Sequence, residues 1–400
     1  MKILGLVVEY NPFHLGHLYH LQEAKRLIRP DATIAVMSGS FTQRGEPALI
    51  DKWARAEMAL TAGVDLVLEL PVAWATQSAP NFAAGAVRLL AAAGATDICF
   101  GSEIGQLLPL EAIADLLLEQ PPIYRQTLQS ALRQGHSFAV AQGEAVATAL
   151  PHIDPESFKE PNNTLGIMYL LAIKQHRLPV RAHTIKRLGS YHSRDLAAPL
   201  PSATAIRQQV LEKHTVEGMP PAAKSILAQH IQIGQGPVSW QHLAPFLFYR
   251  LRSHCREEMS TWPEGGEGLG ERLWLAARQT NSWEELLRLT KTRRFPLTRL
   301  QRLATYILLG LNRDRLEKVD TQQPPPYLRV LALNTSANVI RQRLKESPLP
   351  VVYAASRAPA NNQRLRASLE LDIHATDIYT LAWRQNSQSG LDYTHPIVTR

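Results

Sequence analysis

Apolar positions run in blocks along the first half of the chain, and the period changes from block to block. The stretch "ILGLVVEY" (residues 3–10) is nearly continuous and branched, the pattern of a strand buried on both faces. From about Gly16 to Leu27 the apolar residues recur at helical spacing. "DATIAVMSGS" (31–40) reads as a second strand and turn, and "DKWARAEMALTAG" (51–63) as a helix with Gly63 as its C-cap. "VDLVLELP" (64–71) is a strand stopped by Pro71, "NFAAGAVRLLAAAG" (81–94) a helix, and "ATDICFGSE" (95–103) a strand entering a turn. Strand and helix alternating at this spacing predict parallel βαβ units. Ligands of such sheets bind outside the carboxyl ends of the strands. The loops "EYNPFHLGH", "SGSFTQRGEPA", "ELPVAWATQSAPN" and "FGSE" are therefore expected to open on one edge.

Helical patterns fill 107–150 and 165–176, "PVRAHTIKR" (179–187) reads as a strand, and "SATAIRQQVLEK" (202–213) as a helix with Ser202 at its N-cap. After about residue 215 the chain is mainly helical and more basic, and a proline run at 324–326 marks a loop. The expected fold class is α/β: a Rossmann-like parallel-sheet domain over 1–215, followed by a mainly α-helical, basic domain over 216–400.

Composition changes this picture little. The 400 residues carry a formal charge of +8, which suits a polyanionic partner such as nucleic acid and equally an ordinary basic enzyme. Cys99 and Cys255 are the only cysteines and make neither a disulfide framework nor a zinc site, in keeping with a reducing cytoplasm. The N-terminal apolar run is short and meets Glu9 and Asn11, so it reads as a strand and not a signal peptide. "GVDLVLELPVAWA" is broken by Asp65 and Glu69, and no membrane span is expected.

The candidate chemistry starts at the first strand-to-helix junction, "EYNPFHLGHLYH", where His14, His17 and His20 fall three residues apart. Two histidines at this spacing can bind zinc, but no third or fourth ligand is apparent. They can also be polar caps. The third reading is a nucleotide site: amides at a nascent helix N-terminus favour phosphate, and a histidine pair adds donors where charge develops on an α-phosphate. Gly16 between them permits close approach of a base or ribose. Such sites pair with a later small, hydroxylated helix start that grips the leaving phosphates. "SATAIR", with Ser202 at the cap and Arg207 one turn in, fits that role or that of a simple cap. No Walker-type loop occurs, and "GQGP" and "GGEGLG" do not match a dinucleotide fingerprint.

The segments "VVEYNPFHLGHLYHL", "MSGSFTQRGEPALIDKWARAEMAL", "GVDLVLELP", "FGSE", "KEPNNTLGIMYL", "KRLGSYH" and "SATAIR", in that order, resemble the bacterial tRNA(Met) cytidine acetate ligases. The likeness continues more weakly through "EGLGERL" and "KTRRFPLTRLQRL" to "YLRVLALN". The segments "QSAPNFAAGAV" and "EEMSTWPEGG" look more individual. The resemblance implies a nucleotidyltransferase that activates free acetate with ATP as acetyl-adenylate, releasing pyrophosphate. The acetyl group then passes to N4 of the wobble cytidine of elongator tRNA(Met). It implies His14 and His17 as catalytic. It implies an ATP site made of Val7, Val8, Glu9, Tyr10, Asn11, Pro12, Phe13, His14, Leu15, Gly16, His17, Leu18, Tyr19 and His20, with Gly101, Asn162 and Arg187.

Magnesium is expected with the ATP; the sequence names no protein ligands for it and no resident metal site. Gln43, Arg44, Gly45 and Glu46 are weaker candidates for an acetate or cytidine pocket. Lys52 and His192 are candidates for phosphate contact, and Asp51 is a candidate helix charge. For tRNA the candidates are Lys291, Arg293, Arg294, Arg299 and Arg302, with Arg288 nearby; Phe295 and Tyr306 are candidates for base stacking or for the core. No obligate protein partner is implied. Two competing readings stay open: a small-molecule adenylyltransferase of cofactor synthesis, and an RNA-binding protein with a vestigial ATP site.

Overall fold

The computed structural model describes residues 1–154, 158, 160–188, 201–213, 217–292 and 294–400. The first strand, β1 (Ile3–Val8), pairs in parallel with β2 (Ala32–Ser38) on one side and β4 (Asp97–Ser102) on the other. β3 (Leu66–Leu70) extends the sheet beyond β2, and β5 (Arg181–Lys186) beyond β4, both in parallel. Seven consecutive residues of β2 and all five of β3 are buried, as continuous apolar runs in a doubly covered sheet require.

The crossovers are helical: α1 (Leu15–Ile28), α2 (Lys52–Thr61), the short α3 (Val72–Ala75), α4 (Ala79–Ala92), α5 (Leu107–Glu119), α6 (Pro122–Arg133), α7 (Phe138–Ala149) and α8 (Pro161–Gln175). After β5 comes α9 (Ala203–Lys213). The chain steps outward from β1 to β2 and β3, then crosses back to β4. That reversal puts the switch point between β1 and β4, where an open α/β sheet has its natural crevice.

Beyond residue 215 come α10 (Pro221–Gln232), α11 (Trp240–Ser253), α12 (Leu269–Ala276), α13 (Trp283–Thr290), α14 (Leu297–Leu309) and α15 (Arg313–Val319). The three strands after α15 gave no sign in the sequence pattern. β6 (Leu328–Leu333) joins the same sheet antiparallel to β3. The two-residue strands β7 (Val351–Val352) and β8 (Val398–Thr399) then pair with β6 in parallel. The remaining helices are α16 (Asn338–Glu346), α17 (Gln363–Thr380) and α18 (Leu391–Thr394). The sheet order is β5-β4-β1-β2-β3-β6-β7, so the C-terminal segment completes the N-terminal sheet. The main hydrophobic core runs from Ile3 to Leu391, and a smaller cluster gathers around Tyr327, Leu365 and Leu369. No helix among the described residues is long and apolar enough to cross a membrane.

Candidate active site

At the carboxyl ends of β1, β4 and β5 the chain leaves a cavity of about 220 Å³. Three of the four expected loops reach it. The loop after β1 contributes Val7 to Asn11 with His14, Gly16, His17, Tyr19 and His20; the loop after β2 contributes Gln43, Arg44 and Glu46; β4 contributes Gly101. The fourth, "ELPVAWATQSAPN", does not line it. It folds into α3 and buttresses its neighbour, with Gln43 Nε2 donating to Gln77 O at 3.1 Å. Asn162, Arg187, Ser202 and Arg207 also line the cavity, brought there from α8, the end of β5 and the start of α9. Pro12, Phe13, Leu15 and Leu18 belong to the same stretch without lining it, and Phe13 is fully buried.

His14 is the N-cap of α1 and lies in extended backbone, which turns its ring back over the first turn. Its Nδ1 accepts from the Gly16 amide at 3.0 Å, and His17 Nδ1 accepts from the His14 amide at 3.3 Å, a reciprocal capping box built from two imidazoles. The rings stack with centroids 3.7 Å apart. A Cβ on Gly16 would meet His14 Cε1 at 2.8 Å, so glycine is required there by the histidine ring itself. Both Nδ1 atoms accept, so each neutral ring carries its proton on Nε2 and is a donor there.

Burial, with the charges of Arg187 and Arg207, lowers the His14 pKa to about 3. Burial and His14 hold His17 well below its ordinary value, and burial with Arg187 lowers His20 to about 4. Three neutral imidazoles therefore face one cavity at neutral pH, and His20 Nε2 has no hydrogen-bond partner among the described residues. The engagement of both Nδ1 atoms argues against a zinc pair. Among the described residues no group of three or more His, Cys, Asp or Glu is placed to hold a metal.

The opposite wall is a second cap. Glu103 accepts the amide of Asn163 at 2.8 Å and the Asn162 side chain at 2.5 Å, and Asn163 Oδ1 accepts from the Glu103 amide at 2.9 Å in return. This carboxylate at the N-terminus of α8 fixes Asn162, whose Oδ1 accepts from Arg187 at 3.1 Å. Gly101 lets the Arg187 stem cross it: Arg187 Cγ lies 3.2 Å from where a Cβ would stand. Ser202 caps α9, accepting the Ala205 amide at 3.1 Å. Arg207 donates to Asn11 O at 3.0 Å and pairs with Glu46 at 3.3 Å, tying α9 to the loops after β1 and β2. Sequence reasoning missed Arg55. This buried guanidinium donates to Glu9 O at 2.7 Å and Ser38 O at 3.0 Å, as well as to Gly39 O, and so holds the ends of β1 and β2 together. Phe82, Phe100, Leu165, Tyr169 and Ile185 add the apolar lining; single apolar residues carried no signal for that role.

Several expectations require correction. Lys52 does not line the cavity. It is buried between Glu69 and Asp392 at 2.8–3.0 Å and is a structural cation. Asp51, by contrast, is the helix charge expected: it caps α2 and pairs with His230 at 3.1 Å. Phe295 and Tyr306 are core side chains, not stacking platforms; the Tyr306 hydroxyl donates to Thr76 O at 2.8 Å. The basic segment is not an unopposed cationic face. Arg302 pairs with Glu264 at 2.7 Å, Arg299 with Glu264 and Glu267, Arg294 with Glu267 at 3.6 Å, and Arg288 with Glu285 at 2.5 Å. The individual "EEMSTWPEGG" spacer supplies Glu264. Lys291 is exposed; Arg293 and His192 lie outside the described residues.

A parallel sheet with its cavity at the switch point, and His14-Leu15-Gly16-His17 capping the first helix, is the arrangement of a nucleotidyl transferase. A profile of the HIGH Nucleotidyl Transferase family matches residues 1–393. Over the full length of both chains the sequence is 42% identical to the tRNA(Met) cytidine acetate ligase of a Thermoanaerobacter species and 37% identical to that of Acetivibrio thermocellus. The crystal structure of apo Thermotoga maritima TmcAL superposes with a TM-score of 0.94 at 37% identity, covering 100% of this chain and 99% of that one. The same protein bound with alpha-thio ATP gives 0.93 at 36% identity, with the same coverage. The chain belongs to the tRNA(Met) cytidine acetate ligase family.

Proposed function

We propose that this protein is an ATP-dependent ligase that activates acetate as acetyl-adenylate and acetylates N4 of the wobble cytidine in elongator tRNA(Met). The observation that carries the reading is the switch-point cavity, with its three neutral histidines and two helix N-termini, in a chain of this family. An acetate oxygen attacks the α-phosphorus of ATP and the bond to pyrophosphate breaks. The Nε2–H groups of His14 and His17 donate to the α-phosphate as its charge grows, and need no proton transfer to do so. Arg187 and Arg207 face the phosphates as permanent cations. Ser202 and the amides of α9 receive the leaving pyrophosphate. Asn162 and Gly101 flank the base and ribose. A magnesium ion arriving with ATP would be carried mainly by the triphosphate and water, because Glu46 is engaged by Arg207 and by Gln301 at 3.2 Å.

The tRNA is assigned to residues 216–400, with 1–215 as the activating part. Residues 216–400 hold 24 Lys and Arg against 16 Asp and Glu; residues 1–215 hold 19 of each. The entire excess of base thus lies after residue 215, where phosphate contacts are favoured. The basic half also touches the cavity loop: Trp240 Nε1 of α11 and Thr305 Oγ1 of α14 both donate to Gly45 O, at 2.8 and 2.9 Å. Residence in the cytoplasm and action without a protein partner complete the reading. Pyrophosphate release from ATP, measured with and without acetate and then with elongator tRNA(Met), tests it. Acetate-dependent release and N4-acetylcytidine in the tRNA are expected. Release indifferent to acetate and RNA but dependent on a phosphorylated metabolite would favour the adenylyltransferase of cofactor synthesis.

A further inference from the structure

We propose that Glu9 accepts the proton that the cytosine N4 amine loses when it is acetylated. This assignment rests on the ligase reading above and adds the acceptor half of the reaction, which the histidines do not serve. An exocyclic amine on cytosine is a weak nucleophile, and its nitrogen must shed a proton as the amide forms. The group that takes it has to line the cavity, be unprotonated at neutral pH, and bind protons better than the imidazoles do.

The titratable side chains lining the cavity sort cleanly on those terms. His14 and His17 spend Nδ1 on backbone amides and present donors. All three histidines hold protons too weakly to be useful bases near neutrality. Tyr10 and Tyr169 are pushed up by burial and stay protonated. Glu46 is ion-paired with Arg207 and hydrogen-bonded by Gln301. Glu9 is left. Its Oε1 accepts the Gln43 amide at 2.8 Å, which anchors one oxygen and leaves the carboxylate its remaining acceptor capacity.

Its position matches the task. Gly101, Asn162 and Arg187 come from the β4 and β5 side of the cavity. Glu9 leans to the other side, onto the loop after β2, and that loop is the one gripped by α11 and α14 of the basic half. The carboxylate therefore stands between the nucleotide half of the cavity and the side from which RNA would arrive. The charges around it come from every neighbouring element: Arg44 and Glu46 from the loop after β2, Arg207 from α9, the Tyr169 hydroxyl from α8, and Arg55 from α2, which donates to the Glu9 carbonyl. Burial outweighs the two cavity arginines and raises the carboxyl above its ordinary value, which makes it a stronger base than a solvated glutamate.

The step balances simply. N4 forms a bond to the acetyl carbon, the bond from that carbon to the adenylate oxygen breaks, AMP departs with the electron pair, and the N4 proton passes to Glu9 and then to water. The test separates the half-reactions. Glu9→Gln and Glu9→Asp are compared with wild type in acetate-dependent pyrophosphate release and in single-turnover acetyl transfer to tRNA between pH 6 and 9, with melting curves to confirm folding. Transfer in Glu9→Gln should fall about 100-fold and at least tenfold more than pyrophosphate release. Glu9→Asp should restore part of the rate. Equal losses in both half-reactions would make Glu9 a nucleotide-binding group and overturn the assignment, as would an unchanged transfer rate and profile. Wild-type protein without acetate-dependent release would overturn the ligase reading itself, a failure visible before any variant is made.

Discussion

Two of the buried clusters of charged and polar side chains among the described residues are built on opposite terms. In one, Lys52 donates to both oxygens of Glu69 and both of Asp392, Arg329 reaches Asp392 at 3.2 Å, and Asp372 accepts from the Tyr327 hydroxyl and from the Val72 amide at 2.7 Å. In the other, around the cavity, the polar side chains are held from behind and line the cavity, as His14 and His17 do. The first cluster is closed on itself, with Arg329 Nε its one polar atom lacking a hydrogen-bond partner among the described residues, and joins residues 340 positions apart. The second is open, and its histidines stay neutral because burial and the nearby arginines oppose a charge on them. Closure gives cohesion; openness gives a binding site, at a cost in stability.

Damage to the closed cluster should therefore break the fold and leave the chemistry as a secondary casualty. Burial alone would pull the Lys52 ammonium down; the Asp392 and Glu69 carboxylates more than offset it and keep it charged. Lys52→Met leaves Glu69 buried without its cation and Asp392 with Arg329 alone, which costs about 3–5 kcal/mol. That is a large part of an ordinary domain's stability. Denaturant unfolding reads it out, and a midpoint near wild type would dissolve the contrast. The open cluster should behave in reverse. His17→Ala removes one donor to the α-phosphate and should lower acetate-dependent pyrophosphate release roughly 100- to 1,000-fold, with tRNA affinity nearly intact. A near-normal rate would remove the histidine from the mechanism.

The two clusters also part on pH. The folded-state pKa values of His14 and His20, about 3 and 4, lie below the unfolded value near 6.5. Between those limits the unfolded chain binds more protons, so stability rises with pH across the window and is lost as pH falls below about 6.5. Each such histidine contributes about 1 kcal/mol per pH unit there. Melting temperatures measured from pH 7 to 5 should fall, and His20→Asn should flatten the fall. Asp372, raised to about 8 by burial and Glu69, acts in the opposite sense over the same range, so the deciding readout is the change that His20→Asn makes to the slope; no change would mean that its imidazole titrates freely.

The difference between the clusters also explains how much of each could be read from the sequence. The cavity is largely local: the cap, turn and histidines of residues 9–20 are consecutive, and a strand-to-helix junction with Asn11, Pro12 and Gly16 announces itself. Ser202 and Arg207 follow the same logic at another helix start. The closed cluster is made of single charges from distant segments, each unremarkable alone. Lys52 looked like a phosphate ligand because its partners, Glu69 and Asp392, lie 17 and 340 residues away. Arg329 interrupts an apolar run, yet it is buried inside β6. β7 and β8, two residues each, are too short to carry any period. The arginines near residue 300 likewise gave no sign of Glu264 and Glu267, which lie before them in a spacer.

That last pairing sets the smallest of the expected effects and the most telling for the RNA surface. Arg299 and Arg302 are mostly buried and already hold Glu264, so their replacement disturbs packing as much as charge. Arg294 is more exposed and its contact with Glu267 is long, at 3.6 Å, worth at most about a few tenths of a kcal/mol in the folded protein. Its charge is thus nearly available, and Arg293 adjoins it in sequence. Arg293→Ala with Arg294→Ala should weaken tRNA binding several-fold at moderate salt. The slope of log affinity against log salt should fall by about 1 to 2, since each phosphate that is no longer neutralised removes about 0.7–0.9. Acetate-dependent pyrophosphate release without RNA should be unaffected, because Arg294 does not line the cavity. An unchanged slope would move the RNA surface to other cations of residues 216–400. A loss of pyrophosphate release would show instead that α14 acts through the loop it grips at Gly45.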